Sequence, residues 1–373
     1  MTRTGTAPVG PSGSPGVRHR IAVIPGDGIG KEVVPPALQV LEEVGRAHGF
    51  AFTWTELDWS CERYARTGAM MPDDGIDQLS QHDAVFLGAV GYPGVPDHVS
   101  LWGLLIPIRR AFRQYVNLRP VKLLRGMTSP LRGVDSIDML VVRENSEGEY
   151  SEMGGRFGRG TPGEFAVQES VFTRVGIERV TRYALDLAES RSGRLASATK
   201  SNGIIHTMPF WDEVVREQVA GRQGVELSEY HVDALAAMFV LDPGRFDVVV
   251  ASNLFGDILT DIGGAVMGSI GIAPSANLNP EREFPSMFEP VHGSAPDIAG
   301  QGRANPLGQV WSGAMMLDHL GHADAAAQVI AAMETVLADT GIRTGDLGGT
   351  ASTDEVTAAL LAAVRAPAAS PSP

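Results

Sequence analysis

Among its 373 residues the chain has one cysteine, Cys61. A single thiol excludes an intrachain disulfide and any multi-cysteine metal site, as expected of a reducing compartment, and no nucleophile signature surrounds it. Aromatic residues amount to 6%, and 30 Lys plus Arg face 44 Asp plus Glu, giving a formal net charge of −14. That sign argues against a nucleic-acid backbone as partner. No apolar run approaches the roughly 18 residues of a spanning helix, and the first residues lack the apolar stretch of an export signal. Neither a membrane nor export is therefore expected, and the cytoplasm is the expected address. What the chain does have is 43% hydrophobic residues, over a length that suits about two domains, each with its own core.

Residues 1–17 and 366–373 are small and polar, and they read as tails that bury too little apolar surface to order themselves. Between them, short apolar runs alternate with helical patterns. Ile21 to Ile24, Ala84 to Leu87, Ile137 to Val142, Leu195 to Thr199 and Phe246 to Ala251 read as buried strands, which is α/β order. Val34, Leu38, Leu41 and Val44 recur at helical spacing after the first run, with Pro35 and Pro36 early in that helix. The turn Pro25-Gly26-Asp27-Gly28-Ile29-Gly30 lies between strand and helix, but its glycines are spaced by two. A dinucleotide fingerprint needs Gly-x-Gly-x-x-Gly, so a standard Rossmann site is not expected. From Ser146 to Phe165 the sequence is glycine-rich and charged, an excursion that suits either a loop or an arm reaching another subunit.

Several motifs carry chemistry. Asp257 and Asp261, four residues apart in an apolar stretch, share one helix face and can grip a hard divalent cation. With Asp233 they make an all-carboxylate set that points to Mg²⁺ or Mn²⁺ rather than Zn²⁺. An acidic pair near a helix start also suits the macrodipole without any metal. Arg109, Arg119 and Arg143 offer three guanidiniums for a carboxylated substrate, and Arg113 and Arg109 also suit a solvated helix face. Lys200 closes a strand, where α/β proteins place their sites, and is a candidate base. Tyr150 is a candidate acid. The turn-rich stretch from Glu289 to Gly300, with Asn305 beyond it, suits a binding loop, in which Asp297 can accept from a ribose diol and repel a 2′-phosphate.

Taken in order, Pro-Gly-Asp-Gly-Ile-Gly, Asn-Leu-Arg-Pro, Val-Arg-Glu-Asn, Thr-Lys-Ser-Asn, Asn-Leu-Phe-Gly-Asp-Ile-Leu-Thr-Asp and His-Gly-Ser-Ala-Pro-Asp-Ile-Ala-Gly resemble the metal-dependent β-decarboxylating dehydrogenases, from about Arg20 to about Val364. The segment Ser100 to Arg110 most resembles the tartrate dehydrogenase/decarboxylase and D-malate dehydrogenase branch. The resemblance implies an isopropylmalate dehydrogenase-like two-domain α/β fold, with a central mixed sheet flanked by helices. Residues 18–114 and 268–365 would form the cofactor side, and 115–267 the dimerisation and metal side with an arm at about 148–168. It implies that Arg109, Arg119 and Arg143 bind substrate carboxylates, that Asp257, Asp261 and a dimer partner's Asp233 hold the metal, and that the partner's Lys200 is the base. Tyr150 would protonate the enolate. His292, Gly293, Ser294, Ala295, Asp297 and Asn305 would cradle NAD, and the branch implies K⁺ as an activator. Leu105 and Trp102 would bound the C3 substituent, so that bulk favours C4 acids, D-malate first and tartrate second. 3-Isopropylmalate is the alternative substrate, and a ligand-binding regulatory subunit without turnover the alternative from another class.

Overall fold

Residues 16–366 are described by the computed structural model. Apart from Gly16, Val17 and Ala366, the expected tails lie outside the described residues. Twelve strands occur in chain order: β1 Arg18–Gly26, β2 Ala51–Glu56, β3 Ala84–Ala89, β4 Val116–Lys122, β5 Asp138–Glu144, β6 Gly154–Phe157, β7 Phe165–Gln168, β8 Arg194–Thr199, β9 Glu226–His231, β10 Val248–Ala251, β11 Pro274–Leu278 and β12 Ser286–Pro290. The five runs read as strands are β1, β3, β5, β8 and β10, whose apolar residues in those runs are buried apart from the half-buried Leu140.

Ten strands make one mixed sheet in the order β2-β1-β3-β12-β11-β4-β5-β10-β8-β9. The first four are mutually parallel, as are the last four. The two quartets run in opposite senses because β12, β11, β4 and β5 pair antiparallel at the centre. The chain thus builds one flank, crosses through β4 to build the other, and returns through β11. β4 contains Pro120, an unusual residue for a central strand. The β11 ladder ends at Leu118, so Pro120 lies beyond it.

Helices cover both faces of the sheet. Gly30–His48 carries Val33, Val34, Ala37, Val40, Leu41 and Val44 to the core. Pro35 and Pro36 sit in its second turn, where they remove the usual helical donors to the Lys31 and Glu32 carbonyls. Asn253–Met267 packs on β4 and β5, Arg174–Ser190 on β5 and β10, and Leu307–His319 on β11 and β12. The glycine-rich excursion contains a two-stranded antiparallel hairpin of β6 and β7, exposed along its whole length. Its Phe157 and Phe165 rings stack at 5.0 Å. No helix among the described residues is long and apolar enough to cross a membrane.

Candidate active site

The central strands bring Arg119 from β4 and Arg143 from β5 to one cavity of about 250 Å³, together with Arg109 and Arg110, Ser275 of β11, Glu289 of β12, Tyr150, Asn253 and Asp257. Strand alternation explains the grouping, because residues of one parity face one side of the sheet. Arg109, Arg119 and Arg143 are buried, yet each is held by hydrogen bonds. Arg109 Nη2 donates to Glu289 Oε1 at 2.9 Å. Arg119 Nη1 donates to Thr260 Oγ1 at 2.6 Å and lies 3.2 Å from Asp257 Oδ1. Arg143 donates through Nε and Nη2 to Asn253 Oδ1 at 3.1 and 2.6 Å, and through Nη1 to Asp257. Such forks leave their remaining donors aimed at the cavity in fixed geometry.

The lining carries four guanidiniums against the carboxylates of Asp257 and Glu289, leaving two positive charges in a chain that is strongly acidic overall. That excess is the complement of a dicarboxylate. Burial, and then the charge of Arg119, push the Arg143 guanidinium down to about 10. Burial alone would raise the Asp257 carboxyl, but Arg143, Arg119 and Arg109 outweigh it and hold it below the usual range. Tyr150 O–H points to Asp257 Oδ2 at 3.4 Å, and burial with the Asp257 charge raises its pKa. The phenol therefore keeps its proton and is suited to donate it.

Asp257 and Asp261 do share a face of the helix Asn253–Met267, which Ser252 caps by accepting from Phe255 N. Burial, and then the Asp257 charge, raise the Asp261 carboxyl. Two hard oxygen donors whose charges repel each other fit a divalent cation chemically. They are two, however, and the described residues hold no group of three His, Cys, Asp or Glu able to bind a metal. Asp233 is engaged elsewhere in its own chain, accepting from Lys200 Nζ at 2.5 Å, and neither residue lines the arginine cavity.

His292 lines both the arginine cavity and a neighbouring cleft of about 600 Å³ that also includes Ile29, Ala295, Arg303, Asn305 and Asp346. Burial lowers its pKa, so the ring is neutral at physiological pH. Its Nε2 is buried without a hydrogen-bond partner, an orphan that a cofactor amide can satisfy. Gly293 lines the arginine cavity, whereas Asp297 is exposed and outside the cleft lining. The glycine turn supports this loop from behind. Ile29 N donates to the Ser294 carbonyl at 2.8 Å, and a Cβ on Gly28 would stand 2.0 Å from that oxygen. Close approach to the loop is thus what the turn's glycines permit.

Trp102 departs from expectation. The π-helical turn Leu101–Leu105 presents Leu101 and Leu105 to the cavity, while the Trp102 ring lies against the Arg110 guanidinium at 5.1 Å and outside the lining. Residues not singled out in the sequence include Glu289, Asn253, Thr260 and Asp346. Asn253 was recoverable, since it precedes Asp257 by one helical turn in the same motif. Asp346 accepts from Asn305 Nδ2 at 2.9 Å and from Ser269 Oγ at 2.5 Å, a role no local pattern announces.

The fold is α/β, and its cavity is small, lined by arginines and net positive. Residues 20–360 match the isocitrate/isopropylmalate dehydrogenase family, and the chain belongs to that family and is an oxidoreductase. It is 58% identical over 342 residues to a probable tartrate dehydrogenase/decarboxylase of Bacillus subtilis, covering 91% of this chain and 96% of that protein. It is 55% identical to the D-malate dehydrogenase (decarboxylating) of Escherichia coli, covering 91% and 97% respectively. Its fold is similar to the crystal structure of isocitrate dehydrogenase from Methylococcus capsulatus, with a TM-score of 0.85, 32% identity, and coverage of 93% of this chain and 100% of that one.

Proposed function

We propose that this protein catalyses the NAD- and divalent-metal-dependent oxidative decarboxylation of a (2R)-hydroxy dicarboxylic acid, D-malate to pyruvate and CO₂ first, with the tartrates as related substrates. The carrying observation is the meeting of Arg109, Arg119 and Arg143 with Asp257 and Tyr150 in one small cavity. The likeness to proteins named for tartrate and D-malate supports the substrate class.

The arginines clamp both carboxylates and orient C2, which removes much of the entropic cost of reaction. Asp257 and Asp261, with a partner's Asp233, would hold Mg²⁺ or Mn²⁺, which when bound acidifies the C2 hydroxyl and stabilises enolate charge. NAD, when bound, would supply the hydride acceptor for C2, and Lys200 of the second copy would take the hydroxyl proton. The C3–carboxylate bond then breaks to release CO₂, and Tyr150 returns a proton to C3. Leu101 and Leu105 bound the space beside the substrate, which favours a four-carbon acid over a branched or tricarboxylic one.

A second copy of the chain supplies Lys200 and Asp233 in this reading. Supporting it, Ile258 is 50% exposed beside Asp257, and Val240 and Leu241 are 44% and 72% exposed on the helix Val232–Leu241 that carries Asp233. Exposed apolar residues on the two helices that carry these carboxylates suit a symmetric dimer. NADH formation measured across D-malate, the tartrate stereoisomers, 3-isopropylmalate and isocitrate, each with and without chelator and K⁺, tests the proposal. The highest kcat/KM is expected with D-malate and is lost on chelation. A preference for 3-isopropylmalate overturns the substrate, and ligand binding without any NADH overturns the enzyme reading.

A further inference from the structure

A second cavity, of about 480 Å³, lies behind the first. Its floor is Leu118 and Pro120 of β4, Leu140 of β5, Ala276 and Leu278 of β11, and Phe288 of β12. These alternate with Arg119, Arg143, Ser275 and Glu289, which face the arginine cavity. The two cavities therefore occupy opposite faces of the same four strands. The helix Arg174–Ser190 walls the rear cavity on one side, and the helices Leu307–His319 and Ala323–Thr335 wall it on the other.

Fifteen of its nineteen lining residues are apolar, and the four others are Tyr183, Arg282, Asp318 and His319. Three of those four are hydrogen-bond donors. Burial, then the Arg282 charge, lower His319 to about 4, so its imidazole is neutral at physiological pH and donates one N–H. Burial and the Asp318 charge raise the Tyr183 pKa, so that hydroxyl stays protonated. The carboxylates flanking Arg282 in sequence are engaged elsewhere, Glu281 by Tyr115 O–H at 2.6 Å and Glu283 by Arg113 at 3.3 Å. Arg282 is left without an ion pair among the described residues, at a strained φ of 58°. Asp318 is the one opposing charge of the lining, and it and Arg282 are both exposed to solvent.

We infer that this rear cavity is a binding site for an aromatic monocarboxylate, its ring among Tyr183, Phe288 and Trp311 and its carboxylate on Arg282. The rings give an aromatic body flat apolar surface to stack against, and an apolar site with a few convergent polar groups is the usual form of a small-molecule pocket. The Arg282 guanidinium, free of any ion pair among the described residues, selects a carboxylate over a neutral isostere. The site lets the chain take up an aromatic acid without entering the arginine cavity.

Isothermal titration of the full chain with 2-naphthoate tests this inference, and because it reads binding it is independent of turnover. Saturable binding is expected to persist in the presence of saturating D-malate. It should weaken about tenfold in Arg282→Gln, the loss of one charge-assisted hydrogen bond. Ala327→Trp, at an exposed lining position, should block the site. 2-Naphthamide should bind the wild type about as weakly as 2-naphthoate binds Arg282→Gln. Equal affinity of Ala327→Trp and wild type, displacement by D-malate, or no loss in Arg282→Gln overturns the inference.

Discussion

Asp257 concentrates the chemistry of the site at the residue scale. It accepts from Arg143, lies 3.2 Å from Arg119, and is within 3.4 Å of the Tyr150 hydroxyl. Asp257→Asn is expected to lower kcat/KM at least about a hundredfold and to raise the metal concentration needed for half activity, since ligand loss weakens metal and electrostatics together. Turnover near wild type at low metal would refute its role. A second residue-scale prediction concerns pH. His319 is held near 4 in the folded chain against an ordinary value of 6.5, so the unfolded chain binds the proton more readily between those values. Stability is then complete above about pH 6.5 and falls by up to about 3 kcal/mol toward pH 4. The Arg282 charge adds to the effect of burial. Denaturant titrations near pH 7 and near pH 5 should show a smaller acid loss in His319→Gln than in the wild type. At this scale the chemistry-bearing residues of the arginine cavity were legible because arginine, aspartate and tyrosine sit in distinctive short motifs. Trp102 misled because a π-helical turn shifts side-chain directions that sequence spacing cannot show.

At the scale of elements, the helix Asn253–Met267 joins the carboxylates of Asp257 and Asp261 to Arg119 and Arg143. It can do so only because Gly256 lets β5 approach. A Cβ there would stand 2.6 Å from the Arg143 Cβ. Gly256→Ala is therefore expected to destabilise the fold by about 1–3 kcal/mol, as overpacking does, and to reduce kcat/KM by moving Arg143. A helix-propensity argument alone would forecast a gain from the same change, so the sign of the stability shift in chemical denaturation decides between them. The strands divide along similar lines. β1, β3, β5, β8 and β10 announced themselves as apolar runs because helices bury both their faces. β4, β11 and β12 did not, since each carries proline and polar residues such as Asn117, Arg119, Ser275 and Glu289. Arg119, Ser275 and Glu289 face the cavity, and Asn117 is buried beside it, donating to Ser275 and Asn277, so the requirements of the site erase the very pattern by which strands are read.

On the scale of the whole molecule, a single chain holds two groups of polar residues that do not meet, and the proposed mechanism needs both. Asp257 stands with the arginines in the cavity, Asp261 lies one turn further along the same helix and feels the Arg119 and Arg143 charges, and Lys200 and Asp233 pair with each other outside the cavity. No one-dimensional pattern distinguishes a site closed within a chain from one closed between chains, and the family resemblance supplied that expectation. Mixing two dead variants separates the cases. Lys200→Met and Asp257→Asn homodimers should each be nearly inactive. In a heterodimer with shared sites, one site carries both substitutions and the other carries neither. Co-expression in equal amounts should therefore recover about a quarter of wild-type activity for random pairing of a two-fold dimer. No recovery, with heterodimers verified by distinct affinity tags on the two chains, would mean that the two halves of the site never come together across subunits. Replacing the exposed pair Phe157 and Phe165 by Ser should shift the same chains toward monomer in sedimentation and reduce the recovered activity in parallel, because a catalytic group borrowed from another subunit is lost with the interface that delivers it.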